Sequence, residues 1–375
     1  MDRPRLAMTD ITFIGHPFAP IGMGEQLRSH VAASLAVGLR PKVYDIYRYA
    51  QRNDESYRSL IDPLEVETVG GGLRVFHVNA DEVDEVLAAF AARGNDIDEG
   101  TNIIVPAWEL PTYPKPWAAK IARFDGVWAL SHFIADALKA AGIESRYIGQ
   151  SVEQDAGPLL PRRFYGIRES AFVLLHFFDL SSYASRKNPA AVLTLFERLC
   201  AADPFADLQL VLKVKNVESG AQDWAREAGI PDTPQIRVIA TPFDALGVRG
   251  LIAACDVFVS LHRAEGFGRG LGEAMALGRP ALGTGWSGNT DFMTPDNSLF
   301  VRHRLVRVKE GDYPHGKGQF WAEADVVHAA KLLSPVLADP ARGRAIGERG
   351  RIEVMTKLSH RAVGLRIAAA LAELG

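Results

Sequence analysis

Short apolar runs alternate with longer amphipathic stretches along most of the chain. In the first part the runs 11–15, 42–46, 73–78, 102–105, 126–130 and 146–148 read as strands; in the second part 172–178, 208–214, 236–239, 257–261, 280–283 and 298–301 do. Continuous runs such as FVLLHFF and LQLVLKV suit strands buried on both faces, as in parallel sheets. Between them, 25–39, 134–141, 189–202, 242–254 and 271–277 carry helical spacing. Regular alternation of strand and helix predicts a doubly wound α/β fold, with enough strands for two sheets. The break falls in SVEQDAGPLLPRRFYG, 151–166, where periodicity is weak. Residues 302–323 read as irregular, followed by helices at 324–337, 341–357 and 361–374, with Ser359 placed to cap the last. The expected organisation is two Rossmann-like domains facing across a cleft, 1–155 and 156–345, with helices 346–375 returning towards the first. Ligands of such folds bind at the carboxyl ends of the strands.

Composition narrows the function. Hydrophobic residues make up 47% of the 375 and charged residues 23%, as in a globular protein. A net charge of -3 argues against a nucleic-acid binder. The opening MDRPRLAMTD lacks the apolar core of a signal peptide, and no stretch reaches the ~20 apolar residues that span a bilayer. Cys200 and Cys255 sit in apolar contexts without a partner motif, which suits thiols in a reducing, cytoplasmic compartment.

Candidate chemistry concentrates between residues 265 and 288. Eight of the 34 glycines fall in 266–288, where even spacing gives about two. The order there is strand (VFVSL), loop (HRAEGFGRG), helix (LGEAMALG). Glycines at such a turn let the backbone approach a ligand, and the following helix offers free N–H groups and a positive dipole end. The combination suits a diphosphate. Glu265 in the loop and Glu273 in the helix are carboxylates of the kind that accept from sugar and ribose hydroxyls. On spacing alone, a plain glycine-rich connection with solubilising Glu residues stays open.

The stretch SLHRAEGFGRGLGEAMALGRP resembles the E-x7-E motif of retaining glycosyltransferases of family 4, which have the GT-B architecture. The resemblance implies that Glu265 contacts the transferred sugar, that the backbone of Gly266, Phe267 and Gly268 holds the diphosphate, and that Glu273 holds the ribose. It implies a hexosyltransferase-type enzyme of glycan or polysaccharide biosynthesis. The donor is then a nucleotide-diphosphate sugar, and the acceptor a glycan, a lipid-linked glycan or a small molecule.

A second block, HFFDLSSYASRKNPAAVLTLFERL, passes from strand through a polar loop to a helix that Asn188 and Pro189 are suited to start. Arg186 and Lys187 precede that helix, where fixed cations stabilise the charge developing on a leaving diphosphate. Family members carry a basic pair at the matching loop, often with a further Lys after the next strand, here Lys213 or Lys215. In the first half, IGHPFAPIGMGEQLRSHVAASLAVG resembles the family's loop after the first strand, so Gly22 and Gly24 permit close approach of sugar or diphosphate. Gly22-Met23-Gly24 with Asp45 also forms part of a dinucleotide fingerprint, but Leu27 stands where its third glycine belongs. VPAWELPTYPKPW is similar to a segment of one branch of the family. Glu109 there is a candidate for orienting or deprotonating the acceptor hydroxyl, where many members place a His. Trp108 and Trp117 read as packing residues. Gly288 and Asn289, in TGWSGNTDF, lie at a turn that is near the donor sugar in relatives.

Asp96-Ile97-Asp98 has the letters of a metal-binding Asp pair but precedes a strand rather than following one, and no Cys/His cluster has zinc spacing. With Arg186, Lys187 and Lys213 available, no metal or other cofactor is expected. Arg28, Arg40, Lys42, Arg48, Arg52 and Arg58 leave open peripheral contact with the inner face of a membrane, though interspersed acids favour a solvated surface. Two alternatives to the transferase stand: a non-catalytic GT-B module that binds carbohydrate or sugar nucleotide, and a GT-B-like sugar-nucleotide epimerase.

Overall fold

The structure is a computed structural model and describes residues 10–48, 54–154, 157–217 and 220–374. The N-terminal segment 1–9, Arg52 and the expected boundary at 155/156 lie outside these. The chain forms two compact units, Met1–Val152 with Thr356–Gly375, and Glu153–Met355.

Unit 1 is built on six parallel strands: β1 (Ile11–Gly15), β2 (Lys42–Asp45), β3 (Leu73–Phe76), β4 (Thr101–Ile104), β5 (Gly126–Ala129) and β6 (Arg146–Tyr147). They lie in the order β2-β1-β3-β4-β5-β6, with Phe13 level with Val43 on one side and Val75 on the other. Every residue of β1 is buried, because helices cover both faces of the sheet. The helix Gly22–Leu35 packs against β1 and against His360–Leu374, the last helix of the chain. Ser359 caps that last helix, its hydroxyl accepting from the Ala362 N–H at 3.2 Å.

Unit 2 repeats the design with β7 (Phe172–Asp179), β8 (Leu208–Lys215), β9 (Ile236–Ile239), β10 (Val257–Ser260), β11 (Ala281–Thr284) and β12 (Leu299–Val301). The order is β12-β11-β10-β7-β8-β9, again all parallel. Leu174, Leu210, Leu212, Val257 and Val259 form one apolar face, closed by Val192 and Leu195 of the helix Pro189–Ala202 and by Leu333 of Val326–Ala338.

Each predicted strand is present, with ends shifted by no more than two residues. The segment 302–323, expected to be irregular, instead carries an antiparallel hairpin of β13 (His303–Arg307) and β14 (Phe320–Ala324), with Leu305 level with Ala322. Its pattern is hard to read because β13 is mostly polar and at least partly exposed, while β14 buries only Trp321, Ala322 and Ala324. Helices Val83–Ala92, Lys115–Ile121 and Ala221–Glu227 were likewise not read from spacing. Trp108 is fully buried, with its indole N–H donated to the Thr112 carbonyl at 3.0 Å and Trp117 edge-on at 5.2 Å.

The contact between Gly22–Leu35 and His360–Leu374 depends on a glycine. A Cβ at Gly364 would lie 2.1 Å from the Ala33 carbonyl oxygen. Gly364→Ala is therefore expected to lower stability by about 1–3 kcal/mol, read as an earlier urea-unfolding midpoint, because two packed backbones must part. Gly22→Ala, whose Cβ would meet nothing within 4 Å, serves as the control and should unfold near wild type.

Candidate active site

In unit 2 the strand order reverses between β7 and β10: β8 and β9 extend to one side, β11 and β12 to the other. Loops leaving the carboxyl ends of two such strands diverge and leave a crevice between them. The loop after β7 contains a single helical turn, Ala184–Lys187, and the loop after β10 runs to Gly268.

These two loops meet at Glu265. Lys187 Nζ donates to Glu265 Oε1, and Arg186 Nη1 lies 3.3 Å from Oε2 while donating to the Ala264 carbonyl at 3.0 Å. The three side chains are 11%, 20% and 6% exposed for Glu265, Lys187 and Arg186, so the group is largely out of water. Burial alone would push the Glu265 carboxyl up. The charges of Lys187 and Arg186 outweigh it and hold the carboxyl at about 2. Glu265 is thus a carboxylate at any ordinary pH.

The backbone around Glu265 is fixed from a third loop, the one after β11. The Glu265 N–H is donated to Ser287 Oγ at 2.8 Å, and the Gly288 N–H to the Glu265 carbonyl at 2.9 Å. A Cβ at Gly288 would stand 2.0 Å from the Gly266 carbonyl oxygen, so only glycine lets these loops touch. Beneath them His262, fully buried, bonds Asn289 Oδ1 through Nε2 at 3.0 Å. Asn289 also donates to the Thr284 carbonyl at 2.9 Å. The β13–β14 hairpin braces the same loop: the Ala322 N–H is donated to the Arg263 carbonyl at 2.9 Å, and Arg263 Nε to Glu323 Oε2 at 2.8 Å.

The glycine-rich run follows directly. Gly266, Phe267 and Gly268 are buried, Phe267 packs on Phe292 at 5.6 Å, and Gly268 precedes the helix Arg269–Ala276 with φ +88°. Glu273, within that helix, pairs with Arg269 Nε at 2.8 Å. Lys213, near the end of β8, is buried with its ammonium 5.6 Å from the centroid of the Phe243 ring. Burial, helped by Lys215, lowers its amine to about 8.

The structure thus brings Arg186, Lys187, Glu265, Gly266, Gly288 and Asn289 into one network, with Phe267, Gly268 and Glu273 along the adjoining loop and helix. Asn188 corrects an expectation. It occupies the N-cap position of Pro189–Ala202, but at φ +55° its side chain makes no cap. It reaches instead to the Leu261 carbonyl at 3.0 Å and ties the β7 loop to the β10 loop. His262 and Arg263 lie in the loop HRAEGFGRG and Glu323 outside any motif, and none of the three was singled out from the sequence.

Gly22, Gly24 and Glu109 belong to unit 1. Gly22 opens the helix Gly22–Leu35, and a Cβ at Gly24 would lie 2.3 Å from the Ala19 carbonyl oxygen. Glu109 is half-buried in the loop after β4. The unit 1 order reverses between β1 and β3, and the loops there hold His16, stacked on Tyr47 at 3.6 Å and 4.0 Å from Glu82. Burial lowers His16 to about 4, leaving it neutral at pH 7. Asp45, the acid of the dinucleotide fingerprint, accepts from the Tyr47 and Arg48 N–H groups at 3.1 and 2.9 Å. Asp96 caps its own turn, accepting from the Asp98 N–H at 2.9 Å.

Of the basic residues that left a membrane contact open, most of the described ones are paired with acids or backbone carbonyls. Arg28 is buried and bonded to the Pro17 and Ala19 carbonyls and to Glu25, while Lys42, Arg48 and Arg58 pair with Asp10, Glu67 and Glu55. Among the described residues no helix is long and apolar enough to cross a membrane.

The chain carries two Rossmann-like parallel-sheet units, the make-up of the GT-B architecture. No protein-family model matches the chain, and neither does any curated protein sequence. Solved structures do. HepE from Anabaena, crystallised with UDP and glucose, superposes with a TM-score of 0.67 at 15% identity, covering 97% of this chain and 100% of its own. Sucrose-phosphate synthase from Thermosynechococcus elongatus gives 0.68 at 14% identity, covering 98% of this chain and 99% of its own. The lipopolysaccharide outer core galactosyltransferase WaaB, in its apo form, gives 0.59 at 15% identity over 98% of this chain and 100% of its own. At this identity the likeness establishes the shared fold.

The Glu265 pair gives a pH dependence with a definite sign. Its carboxyl is depressed from 4.5 to about 2, so it adds stability above pH ~4.5 and loses it as pH falls towards ~2. The stability difference between wild type and Glu265→Gln is expected to be constant near neutrality and to shrink across that acid window in urea-unfolding series. A difference independent of pH down to 2 would contradict the ion pairing.

Proposed function

We propose that the protein is a retaining glycosyltransferase of family 4 type, moving a hexose from a nucleotide-diphosphate sugar to a hydroxyl acceptor in glycan or polysaccharide biosynthesis. The observation that carries this reading is the buried Glu265 carboxylate held by Lys187 and Arg186 where β7 and β10 diverge, beside a glycine-rich helix start.

In this reading the diphosphate lies against the backbone of Gly266, Phe267 and Gly268 at the start of Arg269–Ala276, where free N–H groups and the helix dipole favour an anion. Arg186 and Lys187, with Lys213 from the end of β8, meet the negative charge that grows on the leaving diphosphate, so a metal is not needed. Glu265, ionised throughout, holds the sugar and faces the positive charge that develops at its anomeric carbon. Glu273 takes the ribose hydroxyls, exchanging its bond to Arg269 for them. Gly288 and Asn289 shape the donor-sugar side. The acceptor is an uncharged hydroxyl of a glycan, lipid-linked glycan or small molecule, oriented by Glu109, with Gly22 and Gly24 allowing close approach. Because the diphosphate leaves from the face on which the acceptor enters, the anomeric configuration is kept. The free thiols Cys200 and Cys255 fit a cytoplasmic setting. The basic pair reaching Glu265 favours transfer over a binding relic, which has no need of fixed cations for a departing diphosphate.

Incubation with a panel of nucleotide sugars and acceptor mixtures, without added metal, is expected to release nucleoside diphosphate. Absence of release, together with absence of donor binding by calorimetry, would falsify the reading. Lys187→Ala and Glu273→Ala should each weaken donor binding roughly 10- to 100-fold, the value of one charge-assisted contact. Unchanged donor affinity in both variants removes the site assignment and leaves the fold untouched.

A further inference from the structure

Ser287 has a backbone that its side chain does not favour. At φ +72° and ψ -154° it sits in a region almost reserved for glycine, where a residue with a Cβ is strained. The strain is not a by-product of a mobile surface turn. Ser287 is 3% exposed, its carbonyl accepts from the Thr290 N–H at 3.0 Å and hydroxyl at 2.7 Å, and its neighbour Gly288 touches Gly266. A glycine at 287 would adopt this conformation freely. What serine adds is the hydroxyl, which accepts the Glu265 N–H at 2.8 Å and donates to the Trp286 carbonyl at 2.6 Å.

Residues 287 and 288 therefore take both backbone polar groups of Glu265. Ser287 receives its N–H through a side chain, and Gly288 gives an N–H to its carbonyl at 2.9 Å. With the backbone held on both sides, the carboxylate has little freedom to leave Lys187 and Arg186. We propose that Ser287 is a positioning residue for the Glu265 carboxylate, its strained backbone being kept because the hydroxyl fixes Glu265 against the cation pair. The functional consequence rests on the transferase reading above; the structural one does not.

The test uses Ser287→Gly, which relieves the backbone and loses the hydroxyl, and Ser287→Ala, which keeps the strain and loses the hydroxyl. Three readouts are compared with wild type in the full chain: melting temperature, titration of the Glu265 carboxyl carbon by NMR, and turnover of whichever nucleotide sugar the wild type accepts. Both variants are expected to melt below wild type, Ser287→Gly less so than Ser287→Ala because it alone relieves the backbone. In both, Glu265 should titrate higher, towards an ordinary carboxyl, as its contact with Lys187 and Arg186 loosens. Turnover should fall about tenfold or more, with KM for the donor within about threefold. An unaltered Glu265 titration in both variants overturns the proposal, as does a Ser287→Gly that melts no higher than Ser287→Ala, which would remove the backbone strain on which the proposal rests. If wild type turns over no nucleotide sugar, the transferase reading fails, while titration and melting still decide the role of Ser287.

Discussion

A carboxylate taken out of water has to be compensated, and in this chain the compensation of Glu265 sets the local order of unit 2. Removing an ion from solvent costs several kcal/mol, which only close opposite charge and satisfied hydrogen bonds offset. Arg186 and Lys187 supply the charge from the loop after β7, so that loop cannot wander from the loop after β10. Asn188 adds a neutral tie between the same loops, and Ser287 and Gly288 bring in the loop after β11. Three strand ends are thereby drawn together at one residue. The hairpin of β13 and β14 then has a defined edge to rest on, through Arg263 and Ala322.

The two units share a fold and differ in the chemistry at their strand ends. In unit 2 the strand-end loops present a carboxylate and cations held in fixed positions. In unit 1 the comparable loops hold His16 stacked on Tyr47, kept neutral by burial, with Glu82 nearby and Arg28 turned inward to backbone carbonyls. In unit 1 the neutral imidazole stands among acidic side chains, with Glu82 after β3 and Asp45 at the end of β2.

Most of the framework was legible in the sequence because parallel strands buried on both faces leave continuous apolar runs such as 172–178 and 208–214. The charged members of the site were legible for another reason. Arg-Lys before a helix and Glu in a glycine loop are chemically distinctive within a few residues. What could not be read was what each side chain grips. Lys187 and Glu265 are 78 positions apart, and Asn188 and Glu323 are 135 apart. Asn188 looked like a cap because local sequence favours one, but the fold spends its amide on a distant carbonyl. His262 is an ordinary-looking residue whose importance comes only from lying under the loops. The hairpin of 303–324 escaped notice because a two-stranded ribbon half in solvent has no unbroken apolar face to reveal it.

The pairing of Gly22–Leu35 with His360–Leu374 bears on how the molecule comes into being. Unit 1 is discontinuous: its last helix is made only after all of unit 2. Until then one side of Gly22–Leu35 has no covering helix, and the apolar positions it will share with Val363, Ile367 and Leu371 stay open to water or to other chains. Unit 2, an uninterrupted stretch of chain, has all its contacts in hand by Met355 and can settle first. The half that begins the chain is thus the last to be completed, and the interval between its first strand and its last helix is a period in which a growing chain is exposed to misassociation.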